Sequence, residues 1–367
     1  MANENKPLLV IVGPLPPPVH GVAISTRLAL ENQQLREHFV VEHLDTTDPR
    51  AISNLEKWDL PNIFFGLRAA VQLLPKLTRR NAVLYLPLSE SAGGFLRDSI
   101  FIHLAALRGC RVAVHIRNSL FRDFYFSSGP LYRAWIRATL RRISGLAVLG
   151  ESLRLLFDSL VPADIVAVVP NGTPDIDYGS VEPNPNRILY LSNLFRKKGI
   201  DRAVEAAIIV CERSDAAHFI FAGEWESDEV EREIRARLAA NDGRIEFLPP
   251  VIGPEKDRLL ASAWILLFPV AWGEGHPRIL LEALAAGVPA VTTDRATIAE
   301  TITDGETGFV LPDPEPTALA QRILLLLRDH GLRERMSRSA RQRYSERFTQ
   351  ERADQALASW LMSVSAN

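Results

Sequence analysis

Ile265-Leu-Leu-Phe268-Pro-Val-Ala-Trp272-Gly-Glu274-Gly-His-Pro277-Arg-Ile-Leu-Leu-Glu282-Ala-Leu-Ala-Ala-Gly287-Val-Pro289-Ala-Val-Thr-Thr293 opens on one short apolar run and closes on another. Such runs suit strands covered on both faces. Between them, Pro277 suits the first helical position, where a missing N–H is harmless. Gly287 suits the C-cap, and Pro289 stops any continuation. The predicted helix spans about 277–286. Strand, helix and strand then make a βαβ unit with a right-handed crossover.

Two carboxylates interrupt this pattern. Glu274 lies in the Gly-rich loop, and Glu282 lies inside the helix among Leu280, Leu281, Ala283 and Leu284. Burying Glu282 with its neighbours costs several kcal/mol unless the carboxylate finds a partner. The helix start leaves N–H groups unpaired at the positive end of its dipole, which favours anions. Gly275 lets backbone approach a ligand closely. The loop can thus offer N–H donors to a phosphate and carboxylates to hydroxyl groups. The blander reading, two exposed caps or surface ion pairs, is weakened by the glycines, the capped helix and the strand just before.

The alternation of strand and helix recurs along the chain. Leu8–Val12, Val83–Leu86, Arg111–Ile116, Leu146–Leu149 and Ile165–Val169 read as buried strands in the first half. Ile188–Leu191, Phe219–Ala222, Ile245–Leu248, Ile265–Phe268 and Ala290–Thr293 do so in the second. The expected fold is α/β, with two Rossmann-like domains. A stretch rich in Pro, Gly and Asn, Pro170 to Asn186, separates them. The domains expected are an N-terminal one at 1–172, a hinge at 173–186, a C-terminal one at 187–346 and a closing segment at 347–367. Arg352–Met362 has the apolar spacing of an amphipathic helix.

The 367 residues exceed one typical core, which also suggests two domains. A net charge of −2 does not point to nucleic acid. Cys110 and Cys211 make no disulfide framework and fit a reducing cytoplasm. The start lacks a signal-peptide core. No apolar run reaches the length of about 20 residues that a membrane span needs.

Three further loops follow predicted strands. Asn193-Leu-Phe-Arg196-Lys197-Lys198-Gly199 carries three consecutive cations, which would neutralise a diphosphate. Alone it reads as a solvated basic loop. Gly13-Pro-Leu-Pro-Pro-Pro-Val-His20-Gly21 follows the first strand, where mononucleotide folds hold phosphate, but is neither a dinucleotide fingerprint nor a P-loop. His115-Ile-Arg117-Asn118 ends another strand. His115 by default is a satisfied core histidine. Asp175-Ile-Asp177 has the spacing of a metal-binding D-x-D, a pair common by chance. No His/Cys cluster has metal-ligand spacing.

Together these stretches resemble the retaining glycosyltransferases of family four, of the bacterial glycan-assembly type. The resemblance rests on the first-loop prolines, Val169-Pro-Asn-Gly172, Phe221-Ala-Gly-Glu224, the Glu-x7-Glu stretch from Glu274 and the closing Asp304-Gly-Glu-Thr-Gly308-Phe. It implies the GT-B fold, two Rossmann-like domains facing each other across a cleft, with a final helix that crosses back to the first domain. It implies a nucleotide diphosphate sugar as donor, a glycan or lipid-linked acceptor on the first domain, and neither cofactor nor metal. Glu274 would bind hydroxyls of the transferred sugar and Glu282 the ribose. The backbone from Gly275 through His276, Pro277 and Arg278 to Ile279 would meet sugar and phosphates with its amides. Lys198 would neutralise the diphosphate, helped by Arg196 or Lys197, since Asn193 stands where the family has arginine. His20-Gly21 stand where the family has two glycines, and Arg117-Asn118 where it has histidine and glycine. His115 and Arg117, with Glu274 and Lys198, are the expected catalytic residues.

Two rivals remain at this point: an epimerase of the same fold, and an inactive nucleotide-sugar-binding subunit. Arg68, Lys76, Arg79, Arg80, Arg133, Arg137, Arg141 and Arg142 alternate with Phe64, Phe65, Leu73, Leu74, Leu131 and Trp135. Such faces suit peripheral contact with an anionic bilayer, placing the protein in the cytoplasm or at the inner face of the membrane.

Overall fold

A computed structural model describes residues 6–18, 20–47, 60–77, 82–176, 178, 181–238, 243–313 and 315–366. It divides into two units, Met1–Asn171 with Glu351–Asn367, and Gly172–Gln350.

The first unit begins with β1 (Leu8–Gly13), α1 (Gly21–Glu31), α2 (Gln33–His38), β2 (Val40–Asp45) and α3 (Leu60–Leu73). It continues with β3 (Val83–Leu88), α4 (Ala92–Leu107), β4 (Arg111–Ile116), α5 (Phe121–Ser127) and α6 (Pro130–Leu140). β5 (Gly145–Val148) and β6 (Val166–Val168) complete a six-stranded parallel sheet, ordered β2-β1-β3-β4-β5-β6.

The second unit runs through β7 (Arg187–Leu191), α7 (Ile200–Cys211), β8 (His218–Ala222), α8 (Asp228–Arg237), β9 (Ile245–Leu248) and α9 (Gly253–Ala261). Then come β10 (Ile265–Phe268), α10 (Arg278–Ala285), β11 (Ala290–Thr293), α11 (Ile298–Thr301), β12 (Gly308–Leu311), α12 (Pro316–Arg328) and α13 (His330–Arg347). Its parallel sheet is ordered β12-β11-β10-β7-β8-β9. The last helix, α14 (Gln350–Ala366), belongs almost wholly to the first unit.

Alternation along each strand supplies both faces of a sheet. In β7, Ile188 and Tyr190 pack with α7 and α12, whereas Leu189 and Leu191 pack with α10 and α13. Leu280, Leu281 and Leu284 of α10 are completely buried, each contributing roughly 1.5–3 kcal/mol. In the first unit, α14 lays Leu357, Trp360, Leu361 and Val364 on the sheet. It comes so close that a Cβ on Gly145 would lie 2.5 Å from a Val364 methyl.

Four features of the structure add to or differ from the reading of the sequence. Two edge strands, β2 and β12, were not expected, and α14 is longer at both ends than Arg352–Met362. Helix α10 begins at Arg278, with Pro277 before it in an extended conformation, and Gly287 follows the C-cap Ala286 with φ +66. The stretch expected as a hinge at 173–186 is tied to the second unit. Thr173 donates to the Phe348 carbonyl at 3.0 Å, and the Gln350 amide donates back to Thr173 at 2.9 Å.

Candidate active site

Strand order locates the ligand end of the second sheet. From β7 the chain runs outward through β8 and β9, then returns to β10 on the other side of β7. Open α/β sheets bind ligands at the carboxyl ends of the two strands flanking such a reversal. The cation loop follows β7, and the Glu274 loop follows β10.

Gly199 holds these loops together. Its φ is +83, and a Cβ there would come 2.0 Å from the Pro269 carbonyl oxygen, so only glycine fits. The Ala271 amide donates to the Lys197 carbonyl at 3.2 Å. The buried Tyr190 hydroxyl donates to the Lys198 carbonyl at 3.1 Å, with the Asn193 carbonyl at 3.3 Å. So anchored, the Lys198 ammonium pairs with the Glu274 carboxylate. Their side chains are only 24% and 13% exposed, so removing one partner strands a sheltered charge.

The other cations are engaged elsewhere. Arg196 pairs with Asp201 at 3.0 Å and with Glu233, and Asp201 first, then Glu233, raise its pKa. Lys197 sits 5.6 Å over the Phe195 ring. Asn193 is exposed and carries no charge. Lys198 is thus the member of the cation loop that the fold joins to Glu274.

Glu282 has the partner that its position requires. Its carboxylate pairs at 2.7 Å with Lys256 of α9. The hydroxyl of Tyr178, whose pKa is raised by burial and then by Asp257 and Glu282, has no partner among the described residues. Neither Lys256 nor Tyr178 stands out in the sequence, because both lie in other elements. Around the start of α10, the Gly275 carbonyl accepts from Thr297 at 2.7 Å, and Arg278 donates to the Gly172 carbonyl at 2.7 Å. Pro277 supplies no side-chain cap, and Ile279 is half-buried. His276 is buried edge-on against Phe348. Burial, then Arg278, lowers its pKa to about 3, so it is neutral at neutral pH.

In the first unit, His115 is buried on β4, and its Nδ1 lies 3.1 Å from the Tyr85 hydroxyl. Arg117 donates to that hydroxyl at 2.8 Å and to Asn171 at 3.1 Å. Arginine only donates, so the Tyr85 oxygen accepts from Arg117. Burial and then the Arg117 charge lower the His115 pKa well below the usual range, so the imidazole is neutral. Trp360 of α14 backs both rings, 6.1 Å from Tyr85 and 6.0 Å from His115. Asn118 turns its side chain to the Ser119 amide at 2.9 Å. His20 precedes α1 without capping it. A Cβ on Gly21 would meet no described atom within 4 Å. Sequence reasoning paired His115 with Arg117 through strand spacing; it missed Tyr85, which links them from the neighbouring strand.

Asp175 forms an ion pair with Arg341 at 2.7 Å, and Asp177 lies outside the described residues. Among the described residues, no group of three or more His, Cys, Asp or Glu side chains lies close enough to hold a metal ion.

Residues 177–343 match the family described as "Glycosyl transferases group 1". The matched residues fall within the second unit. The chain is 31% identical over 139 residues to phosphatidyl-myo-inositol mannosyltransferase of Mycobacterium leprae, covering 38% of this chain and 36% of that one. It is 32% identical over 151 residues to amylovoran biosynthesis glycosyltransferase AmsK of Erwinia amylovora, covering 39% of this chain and 36% of that one. The matched regions thus span little more than a third of those relatives. The crystal structure of HepE from Anabaena, in complex with UDP and glucose, superposes with a TM-score of 0.73 at 14% identity, over 97% of this chain and 99% of that one. The fold is GT-B.

Proposed function

We propose that the chain is a retaining glycosyltransferase. It moves a sugar from a nucleotide diphosphate sugar to a glycan or lipid-linked acceptor, in the synthesis of cell-surface polysaccharide. The observation that carries this reading is the meeting of Lys198 and Glu274 at the reversal of the second sheet, beside the uncapped start of α10. Such a site takes a diphosphate on the lysine and the helix amides. Glu274 then turns from Lys198 to hydroxyls of the transferred sugar, and Glu282 takes the ribose. In the reaction, the bond from the anomeric carbon to the diphosphate oxygen breaks as the acceptor oxygen bonds to that carbon on the same face. The acceptor proton passes to the leaving diphosphate. Charge grows on the diphosphate, where preorganised donors help most. No metal takes part. AmsK and the mannosyltransferase of Mycobacterium leprae support the reading through their names, and HepE through its bound UDP and glucose. Turnover of nucleotide sugars by the wild type and by Glu274→Ala is the test. The variant is expected to lose roughly 10²–10³ in rate; full retention sinks the assignment.

The acceptor side includes a membrane surface in this proposal. Leu67, Val71 and Leu131 are 57%, 66% and 88% exposed, near the basic Arg68 of α3 and Arg133, Arg137, Arg141 and Arg142 of and after α6. Leu73 is buried and drops out of that face. Arg79 and Arg80 lie outside the described residues, as does the side chain of Phe64. No helix among the described residues is long and apolar enough to cross a membrane. Co-sedimentation with anionic vesicles at low salt should retain the protein; failure to sediment removes this part of the proposal.

A further inference from the structure

The first sheet has its own reversal, between β1 and β3. His20 follows β1 at the start of α1, and Glu90 follows β3 by two residues. Glu90 Oε2 accepts the Leu120 amide at 2.9 Å, which draws the loop after β4 against the loop after β3. Glu90 Oε1 is shut from solvent and has no partner among the described residues; the same holds for His20 Nε2 and Arg117 Nε. An unmade buried hydrogen bond destabilises a fold, so such atoms are few and each needs a reason. Here three of them lie on loops after three adjacent strands, at the end of the sheet where ligands bind. A carboxylate needed only to anchor Leu120 would use one oxygen and leave the other in water.

The chemistry of the group narrows the ligand. Burial pushes the Glu90 carboxyl up to about 8, with the Leu120 amide opposing and Asp123 adding to the rise. At neutral pH the carboxyl therefore holds a proton. Oε2 accepts an N–H, so the proton sits on Oε1. Arg117 Nε is also a donor, and burial keeps His20 neutral by lowering its pKa. A neutral carboxyl, a neutral imidazole and one N–H of the Arg117 guanidinium suit hydroxyl and ring oxygens of a sugar.

We propose that Glu90 binds the acceptor, its Oε1 donating to an oxygen of the acceptor's sugar end, with His20 and Arg117 selecting the hydroxyl presented. This inference rests on the glycosyltransferase reading. The test uses the full chain as wild type, Glu90→Gln and Glu90→Leu, and saturation-transfer NMR with the methyl α- and β-glycosides of glucose, galactose and mannose. Glutamine keeps both an acceptor for Leu120 and a donor for the sugar; leucine keeps only bulk. At least one glycoside should be saturated by the wild type and by Glu90→Gln, and at least fivefold less by Glu90→Leu. Should Glu90→Leu not fold, Glu90→Asp, which withdraws the donor by one methylene, carries the same expectation. Equal saturation by the leucine or aspartate variant, or no saturation of any glycoside by the wild type, overturns the inference. Melting shifts with nucleotide sugars separate the two levels. A shift in the wild type that Glu90→Leu retains leaves the glycosyltransferase reading standing whatever the glycosides do. No shift in the wild type removes that reading and this inference with it.

Discussion

The two units share a parallel six-stranded sheet with one reversal, yet they arm that reversal differently. In the second unit, full charges meet as pairs, Lys198 with Glu274 and Lys256 with Glu282. In the first, Glu90 and His20, both neutral, and the Arg117 guanidinium each stand with one polar atom unmatched. The difference teaches what each end is built to receive. Paired charges keep one another stable until an anionic ligand replaces one partner. Unmatched neutral groups such as Glu90 and His20 suit sugar oxygens, because neither has to be desolvated as an ion to bind them.

The sharpest way to break the comparison is to part the loops of the second unit while sparing the first. Gly199→Ala puts a Cβ 2.0 Å from the Pro269 carbonyl oxygen at φ +83. A stability loss of about 3 kcal/mol is expected, measured by denaturant unfolding, together with loss of nucleotide-sugar binding. An unchanged midpoint would mean that the two loops are not held by that contact. A smaller effect is expected in the first unit. Gly21→Ala adds a methyl that meets no described atom within 4 Å. Stability should hold or rise by about 0.5–1 kcal/mol, while transfer falls roughly tenfold to a hundredfold because a ligand is displaced. Unimpaired transfer by this variant would show that no ligand approaches Gly21.

The contrast also explains what could be read in advance. Ten of the strands were legible because runs such as Ile265–Phe268 are apolar on both faces. β2 escaped because Glu42 and His43 interrupt it, and β12 because Gly308 opens it; both are edges, where polar residues and glycine are tolerated. The Glu274 stretch was legible because its chemistry is contiguous: loop, carboxylate, capped helix. Lys198 was legible as a cation, but not its selection over Arg196 and Lys197. That choice is made by Asp201, Glu233 and the Phe195 ring, of which Glu233 acts through tertiary contact. Tyr85, Lys256 and Glu90 carry no local pattern at all. Their roles come from strand order and from burial, which single positions in a sequence do not display.

The central claim is that the second unit's reversal holds a nucleotide diphosphate sugar through Lys198. The most direct measurement is the melting temperature of the full chain across a panel of nucleotide sugars, for the wild type and for Lys198→Ala. A ligand that binds only the folded state at about 100 times its Kd adds roughly 2.7 kcal/mol. At least one nucleotide sugar should raise the wild-type midpoint, and Lys198→Ala, though folded, should lose that rise. An equal rise in both proteins, or none in the wild type, would contradict the account.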